Sequence, residues 1–219
     1  MSSFNVRCRA VDIEHSCCWK NNREPTHPDK LLGLLKGMAN ACEKMKFSGM
    51  IKSASNNFQI DFDFDSCWLR TISSAGWESQ PLDRLQELED IPNIMPDGIL
   101  SKGSSAIAVE IEKSNKKTIW FDLIKLMMLI NQDVVGFGLL VVPRNYAHRL
   151  GVWNLFNEAR YYRYCLSRFA KVDEQLLSKI AIVGYTQEAH VSGRWTQIDS
   201  SVVKNVKQQA QKHFGKRKT

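Results

Sequence analysis

Two apolar runs constrain this chain more than any other feature: Phe137-Gly138-Leu139-Leu140-Val141-Val142-Pro143 and Ile180-Ala181-Ile182-Val183-Gly184-Tyr185. Neither alternates with polar residues, and both are short. Such runs read as strands covered on both faces. The segments around them fit that reading. Ala106 to Lys113 ends in Val109-Glu110-Ile111-Glu112-Lys113, which alternates apolar and polar residues like a half-buried strand. Lys117 to Asn131 carries Trp120, Leu123, Ile124, Met127 and Met128 at helical spacing, and Trp153 to Phe169 is predicted to be a second helix. Strand, helix, strand, helix, strand in succession predicts an α/β fold, with a central mixed β-sheet flanked by helices on both faces.

The first half is less regular. Residues 1–27 read as irregular, and Asp29 to Met45 as a helix. Phe58, Ile60, Phe62 and Phe64 alternate with Gln59, Asp61, Asp63 and Asp65, which predicts an amphipathic strand with one acidic face. Those aspartates are either a rival metal site or charges that keep an edge strand from aggregating. Leu82 to Leu88 reads as a short helix or turn, and Val202 to His213 as a basic helix. No internal repeat or low-complexity segment interrupts the chain. Its 219 residues are expected to form one domain spanning 1–219, with a basic C-terminal helix and tail at 201–219.

Composition excludes several classes. An apolar content of 43% with 24% charged residues is that of an ordinary globular protein. No run of eighteen apolar residues exists, so no membrane association is expected. The start carries Arg7 and Arg9 without an apolar core, so a secretory signal is not expected. Six cysteines include no Cys-x-x-Cys pair, which predicts reduced thiols and a cytoplasmic location. His15 beside Cys17 and Cys18 is better explained by ordinary buried cysteines than by a metal site. The formal charge is +7, with acids clustered between Asp61 and Asp97 and lysines crowded after Lys204. A separated positive field favours a polyanion such as DNA.

The chemistry concentrates at Pro96-Asp97-Gly98 and, twelve residues on, at the Glu110-Ile111-Glu112 strand. A side-chain period of two points Glu110 and Glu112 the same way, towards whatever Asp97 presents. Three converging carboxylates repel one another unless a cation lies between them, and Mg²⁺ takes such oxygen ligands. Asp97 and Glu110 are the expected ligands, with the backbone carbonyl of Ile111 adding an oxygen. Glu112 is expected to orient or deprotonate a water, or to hold a second metal. A metal held in this way can activate water, neutralise charge on phosphorus and assist a leaving oxygen. Lys113 falls on the opposite strand face. No phosphate-binding GxxxxGK[ST] loop, nucleophile elbow or HExxH helix occurs.

On these residues the chain resembles the PD-(D/E)xK nucleases, and among them the BamHI-like type II restriction endonucleases, in which glutamate replaces the usual lysine. The resemblance runs from about residue 76 to residue 185, the expected catalytic core. It rests on Trp77-Glu78-Ser79-Gln80-Pro81, then Pro96-Asp97, Glu110-Ile111-Glu112, an apolar helix, Leu139 to Pro143 and Ile180 to Tyr185. It implies Glu78 as a fourth carboxylate, although the spacing to Pro81 differs by a residue. It implies a homodimer on double-stranded DNA, with 117–131 as an interface helix. In Ser114-Asn115-Lys116-Lys117-Thr118 only Asn115 matches the family's base-reading residues, and Val152-Trp153-Asn154 stands where an Asp-Arg pair is usual. Asn115, Lys117, Arg144, Asn145 and Asn154 are the candidate DNA contacts, since Asn pairs with adenine and Lys with guanine.

The expected activity is thus that of a type II restriction endonuclease: Mg²⁺-dependent, sequence-specific double-strand cutting that leaves 5′-phosphates. Two alternatives stand beside it. One is a repair or recombination nuclease of the same fold that recognises DNA shape. The other is a DNA-binding protein that does not cut.

Overall fold

The computed structural model describes residues 2–14, 37, 45–52, 57–59, 64–80, 95–148, 151–202, 204, 205 and 208. Among them, nine strands form one sheet. In chain order these are β1 (Ser2–Glu14), β2 (Lys46–Lys52), β3 (Asn57–Gln59), β4 (Glu78–Gln80), β5 (Gly98–Lys102), β6 (Ser105–Ile111), β7 (Phe137–Pro143), β10 (Ile180–Val191) and β11 (Arg194–Gln197). A separate pair, β8 (Tyr146–His148) and β9 (Gly151–Trp153), lies between β7 and the next helix. The helices are α1 (Phe64–Ser74), α2 (Thr118–Asn131), α3 (Leu155–Arg168) and α4 (Glu174–Ser178).

The sheet order is β3-β2-β1-β10-β7-β6-β5-β4. β6, β7 and β10 run parallel at its centre, and the other pairings are antiparallel. The two apolar runs are the middle strands β7 and β10. Their side chains are divided between two cores. Val109, Leu139, Val141, Ala181 and Val183 face α1 through Phe64, Trp68 and Ile72. Ala108, Leu140, Val142, Ile180 and Ile182 face α2, α3 and α4. This is the α/β arrangement that continuous apolar strands demand, since each face needs its own cover. β10 outruns β7, and β11 pairs with its last four residues on the edge that β7 has left. No helix among the described residues is long and apolar enough to cross a membrane.

Two expectations need correction. Residues 2–14 are not irregular but form β1, wedged between β2 and β10 with a register shift between Arg9 and Asp12. Val6 and Cys8 are buried there, and their alternation with Asn5 and Arg7 carried the signal. Of the alternating segment that starts at Phe58, residues 58 and 59 lie in β3, and Phe64 opens a helix instead. Phe64 stacks on Tyr185 with ring centroids 4.4 Å apart, so tertiary packing overrides the local alternation. The segment around His15, Cys17 and Cys18, most of the expected 29–45 helix, Asp61, Asp63, the 82–88 segment and nearly all of the C-terminal tail lie outside the described residues.

Candidate active site

The β5–β6 hairpin sets Asp97 beside the end of β6. Its two-residue loop starts at Gly103, whose φ of 61° is the left-handed conformation that such a turn requires and glycine adopts without strain. The register opposes Gly98 to Val109. Asp97, one residue before β5, therefore lies beside the end of β6, and its Oδ2 accepts a 2.7 Å hydrogen bond from the Ile111 N–H. In a strand the N–H and C=O of one residue point to the same edge, so the Ile111 carbonyl also faces the Asp97 side.

Glu110 and Glu112 lie on the face covered by α2, as their spacing predicts, but they do different things. Glu110 is 2% exposed. Its Oε1 is 2.7 Å from Lys125 Nζ, close enough for an ion pair though poorly directed for a hydrogen bond. Lys125 also lies 3.3 Å from Asp122 Oδ1, one helical turn earlier on α2. One ammonium thus serves two buried carboxylates. Burial pushes the Glu110 carboxyl up from 4.5 to about 8, against the opposing pull of Lys125. Asp122 rises from 3.8 to about 6, again chiefly through burial. Burial works to lower the Lys125 pKa, but contact with Glu110 and the charge of Asp122 outweigh it, and the net shift is upward.

Glu112 is held by its own turn. Its Oε1 accepts from the Ser114 N–H at 2.7 Å and the Asn115 N–H at 2.8 Å, and its Oε2 accepts from the Thr118 hydroxyl. α2 has no side-chain cap at Lys117, and the Glu112 carboxylate instead ties down the turn that leads into the helix. Lys113 points to the other face, where it pairs with Asp65 of α1 at 2.5 Å. That assigns Asp65, one of the rival aspartates, an ion pair.

The remaining predicted residues are dispersed. Glu78 is paired opposite Ser101, at the far end of β5, about 13 Å along the sheet from Asp97. The structure does not bring it to the other acids. Asn115 and Lys117 are exposed on the turn between β6 and α2. Arg144 follows β7 at the same edge of the sheet. Asn145 is buried, and its amide is committed inside: Nδ2 donates to the Gln187 and Ile198 carbonyls, and Oδ1 accepts from the Gln187 N–H. Asn154 caps α3 by accepting from the Asn157 N–H at 3.0 Å. Asn145 therefore presents no base-reading amide, whereas Asn154, like Asn115, whose Oδ1 accepts from the Lys117 N–H at 3.0 Å, has only its carbonyl oxygen bound to its own backbone. Sequence reasoning missed Asp122 and Lys125. Their signal was a charged pair three residues apart within an otherwise apolar helix stripe.

Residues 100–185 match the family model described as "Putative halobacteria restriction endonuclease". This stretch is restriction-endonuclease-like, and a nuclease is what such a family supports. The match runs from β5 to the middle of β10 and includes Glu110, Glu112, Asp122, Lys125 and Arg144; Asp97 and Glu78 precede it. The mixed sheet with its helices is consistent with a restriction-endonuclease-like fold. No curated protein matches the chain.

Proposed function

We propose that the protein is a type II restriction endonuclease: a Mg²⁺-dependent enzyme that hydrolyses phosphodiester bonds of double-stranded DNA at a specific sequence and leaves 5′-phosphates. The observation that carries this reading is that Asp97 binds the Ile111 N–H, between the two glutamates, while Lys125 pairs with Glu110, in and beside the segment that matches the family model.

Among the described residues, no three acidic, imidazole or thiol side chains are grouped to hold a metal ion. Mg²⁺ asks for less, since one or two carboxylates with waters and substrate oxygens suffice. The donors present fit that demand: the Asp97 and Glu110 carboxylates and the Ile111 carbonyl, all hard oxygens at one strand end. The Lys125 ammonium beside Glu110 marks a place where these acids are stabilised by positive charge. When bound, Mg²⁺ would supply an activated water and charge neutralisation at phosphorus.

The chain's own residues do the rest. Asp97 and Glu110 would hold the cation. Lys125 fixes the Glu110 carboxylate and presents positive charge towards the phosphate. Asp122 keeps Lys125 in place. Glu112 acts as a positioning residue, because its carboxylate orders the turn that carries Asn115 and Lys117. Those two exposed side chains are the groove contacts. Two copies acting on the two strands give the double-strand cut, and exposed Phe121 on α2 supports an interface there.

Incubating plasmid DNA with the protein tests this reading. Discrete fragments with 5′-phosphate ends are expected in Mg²⁺ and none in EDTA. Asp97→Ala and Glu110→Ala should abolish cutting and retain duplex binding, and Lys125→Ala should slow it by at least tenfold. Full activity of Asp97→Ala would remove the site assignment, and random degradation would remove the specificity.

A further inference from the structure

The turn between β6 and α2 carries Lys113, Lys116 and Lys117, and the structure gives the three different work. Lys113 pairs with Asp65 on the reverse face of the sheet. Lys117 is exposed, and among the described residues no side chain pairs with its ammonium. Lys116 turns to α3. Its Nζ donates to Glu158 Oε1 at 2.7 Å and lies 5.2 Å from the centre of the Trp153 ring.

Neither partner is a loose surface group. Trp153, in β9, packs against the core beneath α2 and α3. Glu158 stands in the first turn of α3, where the helix dipole favours a carboxylate, and its N–H donates to the Asn154 carbonyl. Four residues on in both segments, Trp120 of α2 meets Tyr162 of α3 edge to face, with ring centroids 5.8 Å apart. Four residues is one helical turn, so the Lys116–Glu158 pair opens a contact that continues along the two helices. A lone ion pair on a surface contributes little. This one is laid on a fixed ring and joined to helix packing, so it sets a position.

The turn is thus held from two sides. From within, Glu112 accepts from the Ser114 and Asn115 N–H groups and from the Thr118 hydroxyl. From outside, Lys116 ties it to α3. Ser114, Asn115 and Lys117 stay exposed between these ties. We infer that Lys116 is a positioning residue: through Glu158 and Trp153 it pins the β6–α2 turn to the start of α3, so that Asn115 and Lys117 meet DNA in a fixed place. Its own ammonium binds no phosphate. The inference rests on the proposed function in taking Asn115 and Lys117 as the DNA contacts.

Deuterium exchange of the full-length protein reads the turn without DNA. Lys116→Gln and Glu158→Gln should each speed exchange in a peptide covering 112–118. Lys116→Arg, which keeps the charge and the stacking, should not. Binding of a labelled duplex oligonucleotide, followed by fluorescence anisotropy in EDTA across a salt series, reads the consequence. Lys117→Gln should flatten the slope of log K against log salt by about 0.9, as the loss of one cation at the DNA does. Lys116→Gln should weaken binding severalfold on the wild-type slope. Glu158→Gln decides the sign: it should also weaken binding on that slope, although it removes a negative charge. Tighter binding on a steeper slope would show that the released Lys116 takes a phosphate, and would overturn the inference. Unchanged exchange, or unchanged affinity, in both Gln variants would overturn it too. The expected exchange and binding in a protein that cuts no DNA in any divalent cation would uphold the pin and sink the nuclease reading.

Discussion

At the scale of single residues, the controlling fact is that Glu110 is buried and still ionisable. Its carboxyl keeps its proton in the fold up to about pH 8, whereas in the unfolded chain it loses it near 4.5. Between those values the folded state binds the extra proton. Stability from this group is therefore complete below about pH 4.5 and is lost progressively as pH rises towards 8. Asp122, raised to about 6, adds the same sign over a narrower window. The expected result, from thermal melts in EDTA, is that wild type loses more melting temperature between pH 5 and pH 9 than Glu110→Gln does. A difference between the two proteins that stays flat across that range would mean that Glu110 is already ionised in the fold.

Between neighbouring elements, stability rests on a few points where α3, β7 and β10 touch. Gly184→Ala adds a carbon 2.5 Å from Phe156. Neither the sheet backbone nor a side chain whose Cβ is itself 3.1 Å from the added carbon gives way cheaply. Overpacking of this kind costs about 1–3 kcal/mol, to be read by urea denaturation. Asn145 is the second such point. Its amide links the end of β7 to β10 and to Ile198 beyond β11. Asn145→Ala leaves a buried N–H and two carbonyls without that partner, a loss of at least about 2 kcal/mol in the same measurement. If Asn145 instead contacted DNA, the substitution would weaken binding and leave stability untouched.

On the scale of the whole molecule, the parallel strands β6 and β7 end at one edge, which β10 runs past, and the chemistry collects there. α2 rises from that edge behind Glu110, carrying Lys125 inward and Phe121 outward. Phe121 is 65% exposed, an unusual place for a phenylalanine on a helix so apolar. With α2 as the dimer interface, Phe121→Glu should convert the protein to a monomer in sedimentation. Plasmid cutting should then shift from linearisation to nicking. A variant that stays dimeric and linearises DNA would place the interface elsewhere.

The amino-acid order by itself determined β6, β7, the first half of β10, α2 and α3, and the shared face of Glu110 and Glu112. It also placed Lys113 on the reverse face. These follow from side-chain period, which is local and set by backbone geometry. β1 reads as irregular from the sequence, since the alternation of Val6 and Cys8 with polar neighbours is short and lies in so charged a segment. Only the tertiary structure decided which charges meet. Lys125 reaches Glu110 from a helix fifteen residues further on, Asp97 closes onto Ile111 through a hairpin, and Glu78 is carried to the wrong end of β5 by its register. Asn145 and Asn154 look like surface amides in the sequence, yet both are bound to backbone. Periodicity specifies the face a side chain takes, whereas its partner depends on how helices seat on the sheet, and that is set by long-range contacts such as Phe156 on Gly184.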